Sequence, residues 1–524
     1  MFKKSAIQLT LIAASIALTA CGKQQEKAAS YEAAAPAAAA PASSAPSAAE
    51  TGNQYAKITD NTAARVTEQP VSTFSLDVDT GSYANTRRFL NDGQRPPADA
   101  IRVEEMMNYF PADASAPMGE PMSGAPFAVS YEIAKSPWAD NKAILRLNVQ
   151  AQDSATAALP PSHLVFLVDV SGSMDEPNKL PLVKKSLKAL VERLRDNDKI
   201  SLVTYSGETE VVLNPTSGNQ KDKIIKAIDR LGAGGGTAGG EGLKLAYDMA
   251  KDGYIKGGVN RILMMTDGDF NVGVSDVDDL KKMVEKQRDG GVTLSTIGFG
   301  SDNLNDEMME KIADVGNGNY SYIDSEKESQ KVLDDEMRST LLTVAKDVKA
   351  QIEFNPNKVL EYRQIGYENR QLAREDFNND KVDAGDIGAG KRVTVLYELV
   401  LKDGKGDVKA DPLRYQTETA VKTDTGNELA FLKMRWKKPA DTKSELTSLG
   451  IHAPTALPAF ANASVDLRFT TAVAAFGQKL RDNPVVSKVS WQMILDWANN
   501  AKGQDAHGYR QEFVGMVRTA KNLN

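Results

Sequence analysis

From residue 163 to residue 342, short apolar runs alternate with amphipathic stretches, and this alternation constrains the fold more than any other feature. Residues 164–168 form a continuous apolar run, which is typical of a strand buried on both faces of a parallel sheet. Residues 179–195 follow with apolar side chains at helical spacing, and similar pairs recur down to a predicted helix at 326–342. The pattern predicts an α/β fold with a doubly wound, mainly parallel, Rossmann-like sheet.

Strand patterns lie on both sides of this α/β region. Residues 127–133 and 143–149 precede it, and the strands predicted after it are 348–354, 359–365, 392–401 and 430–436. Gly- and Asp-rich turns separate them, which favours a β-sandwich. We expect the two flanks to pair, so that the α/β domain is inserted into the sandwich. Helical patterns at 467–480 and 491–501 predict a helical C-terminal region.

These patterns divide the chain into six predicted segments. They are a signal peptide (1–20), a disordered Ala/Pro/Ser linker (21–70), an N-terminal region (71–160), the α/β domain (161–345), a β-sandwich region (346–440) and a helical C-terminal region (441–524). The linker prediction rests on Pro36, Pro41 and Pro46, which would each interrupt a helix in the Ala-rich stretch.

The N-terminus has the features of an export signal. Two lysines precede an apolar run at 6–20, which is shorter than the roughly 20 residues needed to span a bilayer. Cys21, the only cysteine among 524 residues, directly follows Leu18, Thr19 and Ala20. This arrangement resembles the bacterial lipobox, which implies cleavage before Cys21 and lipidation of its thiol. An ordinary secretory signal that leaves Cys21 free is the alternative.

The lipobox resemblance also predicts where the protein resides. Several acyl chains hold a protein stably on a membrane. Gly22 stands where many lipoproteins of the inner membrane carry Asp, so the resemblance favours the outer membrane. We therefore expect a lipid-anchored protein of the cell envelope that faces the periplasm.

Composition excludes several classes of function. With 63 Lys and Arg against 70 Asp and Glu, the net charge of −7 argues against a general nucleic-acid binder. A single cysteine excludes zinc sites of the Cys-rich type and disulfide frameworks. Residues 234–239 match the dinucleotide-binding pattern G-x-G-x-x-G, but a helix pattern precedes them where that site needs a strand. The sequence also contains no P-loop motif. We therefore predict no nucleotide site.

Hydroxyl and carboxylate side chains cluster at three loops of the predicted sheet. Asp169, Ser171 and Ser173 form D-x-S-x-S after the first strand, Thr237 lies in a Gly-rich loop, and Asp267 follows another apolar strand. Carboxyl ends of the strands are where open α/β sheets bind ligands. Oxygen donors without nitrogen or sulfur suit a hard cation, so the pattern predicts an octahedral Mg²⁺ or Mn²⁺ site.

Residues 161–345 resemble the von Willebrand factor A domain and its metal-ion-dependent adhesion site. The resemblance implies that Ser171 and Ser173 ligate the metal directly and Thr237 directly or through water. Asp169 and Asp267 would act mainly through bound water. An acidic side chain of a protein partner would then complete the coordination, which makes the domain a binding module.

Other chemistry is poorly supported by the residues. Two Asp-rich stretches, 267–271 and 376–380, open like calcium loops but lack the required Gly and Glu farther on. Ser171 and Ser173 lack a nucleophile elbow, and His163 lies at the far end of the first strand. We therefore predict that the protein is not an enzyme.

Four stretches outside the α/β domain narrow the resemblance further, namely 77–88, 102–110, 365–370 and 375–388. They are similar to the YfbK-type bacterial lipoproteins. Judged by pattern alone, Arg88, Glu104 and Glu105 are expected on a solvated helix face. The leading hypothesis is an envelope lipoprotein that binds a protein partner through the metal. The alternative is a structural lipoprotein in which the metal only orders the three loops.

Overall fold

The computed structural model describes residues 52–112, 119–153, 159–237, 239–268, 277–301, 303–408 and 426–523, with backbone alone at 277 and 278. All of them belong to the unit Ala48–Asn524. The predicted signal peptide, Cys21 and residues 21–51 of the predicted linker lie outside the described residues.

Short helices and antiparallel strands precede the α/β region. They are β1 (Ala64–Arg65), β2 (Val71–Ser75), α1 (Gly81–Asn91), α2 (Val103–Asn108), β3 (Glu120–Pro121), β4 (Phe127–Lys135) and β5 (Lys142–Ala151). Strands β4 and β5 were predicted, whereas β2 was not.

Strands and helices then alternate through the α/β region. The elements are β6 (Ser162–Asp169), α3 (Leu180–Glu192), β7 (Lys199–Tyr205), β8 (Thr209–Ser217), α4 (Lys221–Asp229), α5 (Gly239–Asp252), β9 (Val259–Thr266), α6 (Val277–Asp289), β10 (Thr293–Phe299), α7 (Asp306–Val315), β11 (Tyr320–Ile323), α8 (Glu326–Gln330) and α9 (Met337–Leu341). A π-helical turn at Lys331–Asp335 separates α8 from α9, where the sequence predicted one continuous helix.

The sheet of this region has the order β11-β10-β9-β6-β7-β8 among the described strands. All neighbours are parallel except β7 and β8, which are antiparallel. One face buries apolar side chains against α3 and α4, and the other face packs against α5 and α7. Because both faces are covered, β6 is buried along its whole length. The predicted doubly wound, mainly parallel sheet is confirmed.

After the α/β region the chain returns to strands and then to helices. These elements are β12 (Thr343–Phe354), β13 (Val359–Ile365), β14 (Ile387–Gly388), β15 (Arg392–Leu401), β16 (Glu428–Lys437), β17 (Glu445–His452), α10 (Val465–Leu480), α11 (Trp491–Asn499) and α12 (Tyr509–Leu523).

The flanking strands pair with each other, as predicted. Strand β5 lies antiparallel to β15, with Leu147 opposite Val395, and the described strands of this sheet have the order β1-β13-β15-β5-β4-β3. A second sheet, β14-β12-β16-β17 with β2 beside β12, packs against it. Phe127 and Trp436 meet edge to face across the two sheets, with ring centres 5.9 Å apart. The α/β domain is therefore an insertion in a β-sandwich.

A helical layer covers the outer face of the sheet that contains β5 and β15. Helices α2, α10, α11 and α12 share one apolar core with Ile144 and Leu396 of that sheet. The rings of Phe110, Phe469 and Phe513 lie in this core, each within edge-to-face distance of the other two. None of the described helices combines the length and the apolarity that a bilayer crossing needs.

Three sequence predictions need correction. The linker does not extend to residue 70, because Gln54 donates its N–H to Leu304 O and β1 pairs with β13, so 52–70 belong to the folded part. The helical region does not begin at 441, because β17 pairs with β16 first.

The prediction of a solvated helix face is also wrong. Arg88, Glu104 and Glu105 are buried, since α1 and α2 are covered by other elements on all sides.

Candidate metal centre

The first loop of the candidate site is held in shape by its own hydrogen bonds. Strand β6 ends at Asp169, which is fully buried. Asp169 Oδ1 accepts the N–H of Ser171 at 2.9 Å, so the chain turns sharply into a short 3₁₀ helix at Gly172–Met174. The turn brings the hydroxyls of Ser171 and Ser173 together, with their Oγ atoms 3.0 Å apart.

This spacing fits the coordination shell of magnesium. Mg²⁺ requires near-ideal octahedral geometry with ligand oxygens at about 2.0–2.1 Å, so neighbouring ligands lie about 3.0 Å apart. The Ser171 and Ser173 Oγ atoms have this separation. Hydroxyl oxygens are hard donors, and Mn²⁺ accepts the same ligand set. The donor set therefore fits the cation that the sequence predicts.

The second loop follows β9 and is tied to the first one. Thr266 Oγ1 donates to Asp169 Oδ2 at 2.9 Å and accepts the N–H of Gly268 at 3.0 Å. Asp267 lies between Thr266 and Gly268 in the chain and is fully buried. Gly268 has φ of +100°, and a Cβ there would stand 2.3 Å from the backbone nitrogen of Asn305. This loop therefore requires glycine at 268.

The third loop is the Gly-rich segment before α5. Gly234 donates its N–H to Val170 O at 2.8 Å, and Gly235 O accepts the N–H of Gly172 at 3.1 Å. Thr237 follows two residues later and is 7% exposed. The structure thus brings Asp169, Ser171, Ser173, Thr237 and Asp267 to one edge of the sheet. That these five residues ligate a metal stays a prediction.

Two residues of this edge were not among the predicted site residues. Thr266 orients Asp169 through its hydroxyl, and the T-D-G motif was the signal that could have identified it. Lys179 is only 2% exposed and donates from Nζ to Ser173 O at 3.0 Å and to Asp267 Oδ2 at 3.2 Å. The sequence indicated only that Lys179 begins an amphipathic helix, which gives no sign of burial.

Burial controls the electrostatics of the site. It raises the pKa of Asp169 to about 6, while hydrogen bonds from Ser171 and Thr266 act in the opposite direction. A bound cation would lower the pKa of Asp169 again, because metal ligands bind in their deprotonated form.

His163 lies at the other end of β6, where it contacts Ser201 and not the site. Burial lowers the pKa of His163 to about 4.

A separate acidic cluster lies between the N-terminal helices and α7. Asp77, Asp79 and Glu105 place one carboxylate oxygen each within 4.8 Å of one another, and all three are buried. Two guanidinium groups pair with them. Arg370 lies 3.4 Å from Asp77 and 3.5 Å from Asp79, and Arg102 binds Glu105. We interpret this cluster as an ion-pair network that joins domains, because both arginines also bind residues of α7.

Comparison with protein families agrees with the fold. The model of the von Willebrand factor type A domain matches residues 163–336, and a model described as von Willebrand factor matches 49–146. A third, described as uncharacterized protein YfbK, C-terminal, matches 339–523. The fold and this match therefore define a von Willebrand factor A-domain protein. Such domains are generally protein-interaction modules without catalytic activity, and they commonly bind Mg²⁺ or Mn²⁺.

The chain belongs to the YfbK family. It is 52% identical over 477 residues to the uncharacterized protein YfbK of Escherichia coli K12, covering 90% of this chain and 81% of that protein. Human inter-alpha-trypsin inhibitor heavy chain H3 is 26% identical over 267 residues, which cover 46% of this chain and 29% of that one. A solved von Willebrand factor type A protein from Catenulispora acidiphila is 16% identical, with a TM-score of 0.42 over 76% of this chain and 97% of its own.

Proposed function

We propose that the protein is a non-catalytic lipoprotein of the cell envelope that binds a protein partner through Mg²⁺ or Mn²⁺ at its A domain. The observation that carries this proposal is the pair of Ser171 and Ser173 Oγ atoms, 3.0 Å apart beside a fixed Asp169. This separation, which also lets the two hydroxyls share a hydrogen bond, matches that of neighbouring ligands in an octahedral Mg²⁺ shell, about 3.0 Å. Family membership and the A-domain fold support the same conclusion.

The charge of the site favours an acidic partner. A divalent cation held by neutral hydroxyls and two nearby carboxylates attracts a further anionic ligand. An Asp or Glu side chain of another protein supplies one. Hydrolysis is disfavoured, because His163, the one histidine in the described part of the A domain, contacts Ser201 at the opposite end of β6.

The membrane anchor is the second part of the proposal. Cys21 would carry the lipid, and the outer membrane is favoured because Gly22 follows it. The test is Cys21→Ser in cells. We expect this variant to lose incorporation of labelled fatty acid and to leave the membrane fraction. Labelling that persists in the variant would contradict lipidation at this residue.

Partner binding is tested by affinity capture from solubilised envelope with Mg²⁺ or with EDTA. We expect captured protein to be lost with EDTA and in Asp169→Ala and Thr237→Ala. Ser186→Ala is the matched control, because this buried serine donates its hydroxyl to Leu182 O within α3. Capture that survives both EDTA and the Asp169 variant would refute metal-dependent binding.

A structural role is the second candidate. It is suggested by the position of the site where three loops meet, with hydrogen bonds such as Thr266 to Asp169 and Gly234 to Val170 between them, because a cation there would add further ties. If the metal only orders these loops, Mg²⁺ raises the melting temperature while Thr237→Ala leaves partner capture unchanged. The proposed binding function expects Thr237→Ala to abolish capture.

A further inference from the structure

We propose that Lys179 sets the net charge of the metal centre, so that it weakens cation binding and strengthens binding of the partner's carboxylate. The inference rests on the proposed function, since it concerns the same site and the same class of ligand. It assigns to one residue the preference for an acidic partner.

Lys179 is a fixed part of the site and not a mobile surface lysine. Its side chain is 2% exposed. The ammonium donates to Ser173 O at 3.0 Å and lies 3.2 Å from Asp267 Oδ2. Glu176 Oε1 is 3.6 Å away, but that side chain is 50% exposed and solvent screens its charge. A buried ammonium must be paired, and here its buried carboxylate partner is Asp267.

The fold makes room for this side chain at one glycine. Gly300 follows β10 with φ of +78°, and a Cβ there would lie 2.4 Å from Lys179 Cε. The aliphatic stem of Lys179 therefore occupies the space that any other residue at 300 would fill. Lys179 also donates its backbone N–H to Glu176 O at 2.9 Å, just before α3 begins. Backbone and stem together direct the ammonium toward Asp267.

The buried charges at this edge have a simple balance. Among the described residues, Asp169 and Asp267 are fully buried and Lys179 is a buried cation beside them. With both carboxylates ionised, these three groups carry one net negative charge. A divalent cation makes the site positive by one charge, and a single carboxylate from a partner makes it neutral. Without the ammonium, the loaded site would already be neutral before the partner arrives.

Replacing Lys179 by methionine therefore has two effects of opposite sign. The cation no longer meets a neighbouring positive charge, so it binds more tightly. The loaded site attracts an anion less, so carboxylate binding weakens. A residue with a merely structural role would weaken both steps, because loss of packing disorders the loops for either ligand.

The test measures the two steps separately in Lys179→Met. Mn²⁺ affinity is obtained from the electron paramagnetic resonance signal of the free ion. Acetate binding to the Mn²⁺-loaded protein is then followed by water proton relaxation, with sodium chloride at equal ionic strength as the reference. We expect the Mn²⁺ Kd to fall about tenfold and the acetate Kd to rise about tenfold, since the charge interactions lie in a buried site.

Two control variants complete the design. Lys331→Met removes another lysine of 2% exposure from the same domain, which binds Glu336 away from the site, and should change neither affinity. Lys179→Arg keeps the charge and should restore both affinities toward those of the unmodified protein. Circular dichroism establishes that each variant is folded.

The outcomes separate this inference from the proposed function. If the unmodified protein binds no Mn²⁺, the proposed function fails and this inference fails with it. If Mn²⁺ and acetate bind but Lys179→Met changes both affinities in the same direction, or neither, only the role of Lys179 is overturned.

Discussion

Thr266 Oγ1 donates a hydrogen bond of 2.9 Å to Asp169 Oδ2, although 97 residues separate the two in the chain. Strands β9 and β6 are parallel neighbours, so their carboxyl ends meet and place these residues side by side. The other oxygen of Asp169 accepts the N–H of Ser171 at 2.9 Å. Both carboxylate oxygens are therefore fixed by the protein, which orients Asp169 before any cation binds.

This orientation predicts the effect of Thr266→Val. Valine keeps the shape of the threonine side chain but lacks its hydroxyl. The hydrogen bonds of that hydroxyl to Asp169 and to the N–H of Gly268 are therefore both lost. We expect the free energy of unfolding to fall by about 1–3 kcal/mol and Mn²⁺ binding to weaken. Urea unfolding and Mn²⁺ titration measure the two effects. Thr266→Ser retains the hydroxyl, and an equal loss in that variant would contradict this explanation.

The ion pair between Arg102, the residue just before α2, and α7 predicts a large loss of stability in Arg102→Met. Arg102 is 1% exposed and reaches Asp306 at 2.5 Å, with Glu105 bound on its other side. Removing it leaves two buried carboxylates uncompensated, which costs about 3–5 kcal/mol in comparable cases. Urea unfolding measures the change.

The matched control for that prediction is an exposed pair. Lys185 and Glu326 lie 2.6 Å apart with 66% and 70% of their side chains exposed. We expect Lys185→Met to change the free energy of unfolding by about 1 kcal/mol or less, because solvent screens such pairs. A loss in Arg102→Met no greater than this would show that burial does not govern the effect.

Burial of Glu104 predicts that stability falls as pH rises. Burial raises its pKa from 4.5 to about 8, and the nearby charges of Glu368 and Asp77 act in the same direction. The folded protein then holds a proton that the unfolded chain releases above 4.5, so this stabilisation is lost progressively as pH rises toward 8. We expect Glu104→Gln to flatten the dependence between pH 5 and 8 and to be more stable than the unmodified protein at pH 8.

Urea unfolding at several pH values measures this dependence. Glu307→Gln serves as the control, because this side chain is 38% exposed and pairs with Lys311 at the surface. It should leave the slope of stability against pH unchanged. Identical slopes for Glu104→Gln and the unmodified protein would contradict the assignment.

The loop after β9, which carries Asp267, predicts that Gly268→Ala strongly lowers the stability of the protein. The left-handed φ of +100° disfavours any Cβ, and the added atom would also meet Asn305 N at 2.3 Å. Gly93 separates these two causes, because its φ is +70° and no atom lies within 4 Å of its Cβ position. We expect Gly93→Ala to cost about 1 kcal/mol and Gly268→Ala to cost more and to weaken Mn²⁺ binding. If Gly93→Ala and Gly268→Ala lost equal stability, the close contact of the added Cβ with Asn305 N would have no effect, which would contradict this explanation.

Local pattern was enough to predict the framework of the protein. The continuous apolar run in β6 and the helical spacing in α3 report burial directly, so the parallel sheet could be predicted. Part of the candidate site could also be predicted to come together, since Asp169 and Asp267 stand at the carboxyl ends of two parallel strands, β6 and β9. Thr237 lies between α4 and α5, so no strand pattern places it. Strand β17 was missed because only two of its eight residues are buried, so its pattern gives little apolar signal.

Charged residues show where sequence patterns reach their limit. Lys179, Arg102 and Glu104 are charged residues of the kind expected on solvated helix faces, yet each side chain is nearly fully buried. Their burial depends on partners far away in the chain, such as Asp267 for Lys179 and Asp306 for Arg102. The sequence by itself determined most of the strands and helices and the hydroxyl and carboxylate loops, because these depend on local spacing. Only the tertiary structure decided which charges are buried together, because that depends on which distant elements pack against each other.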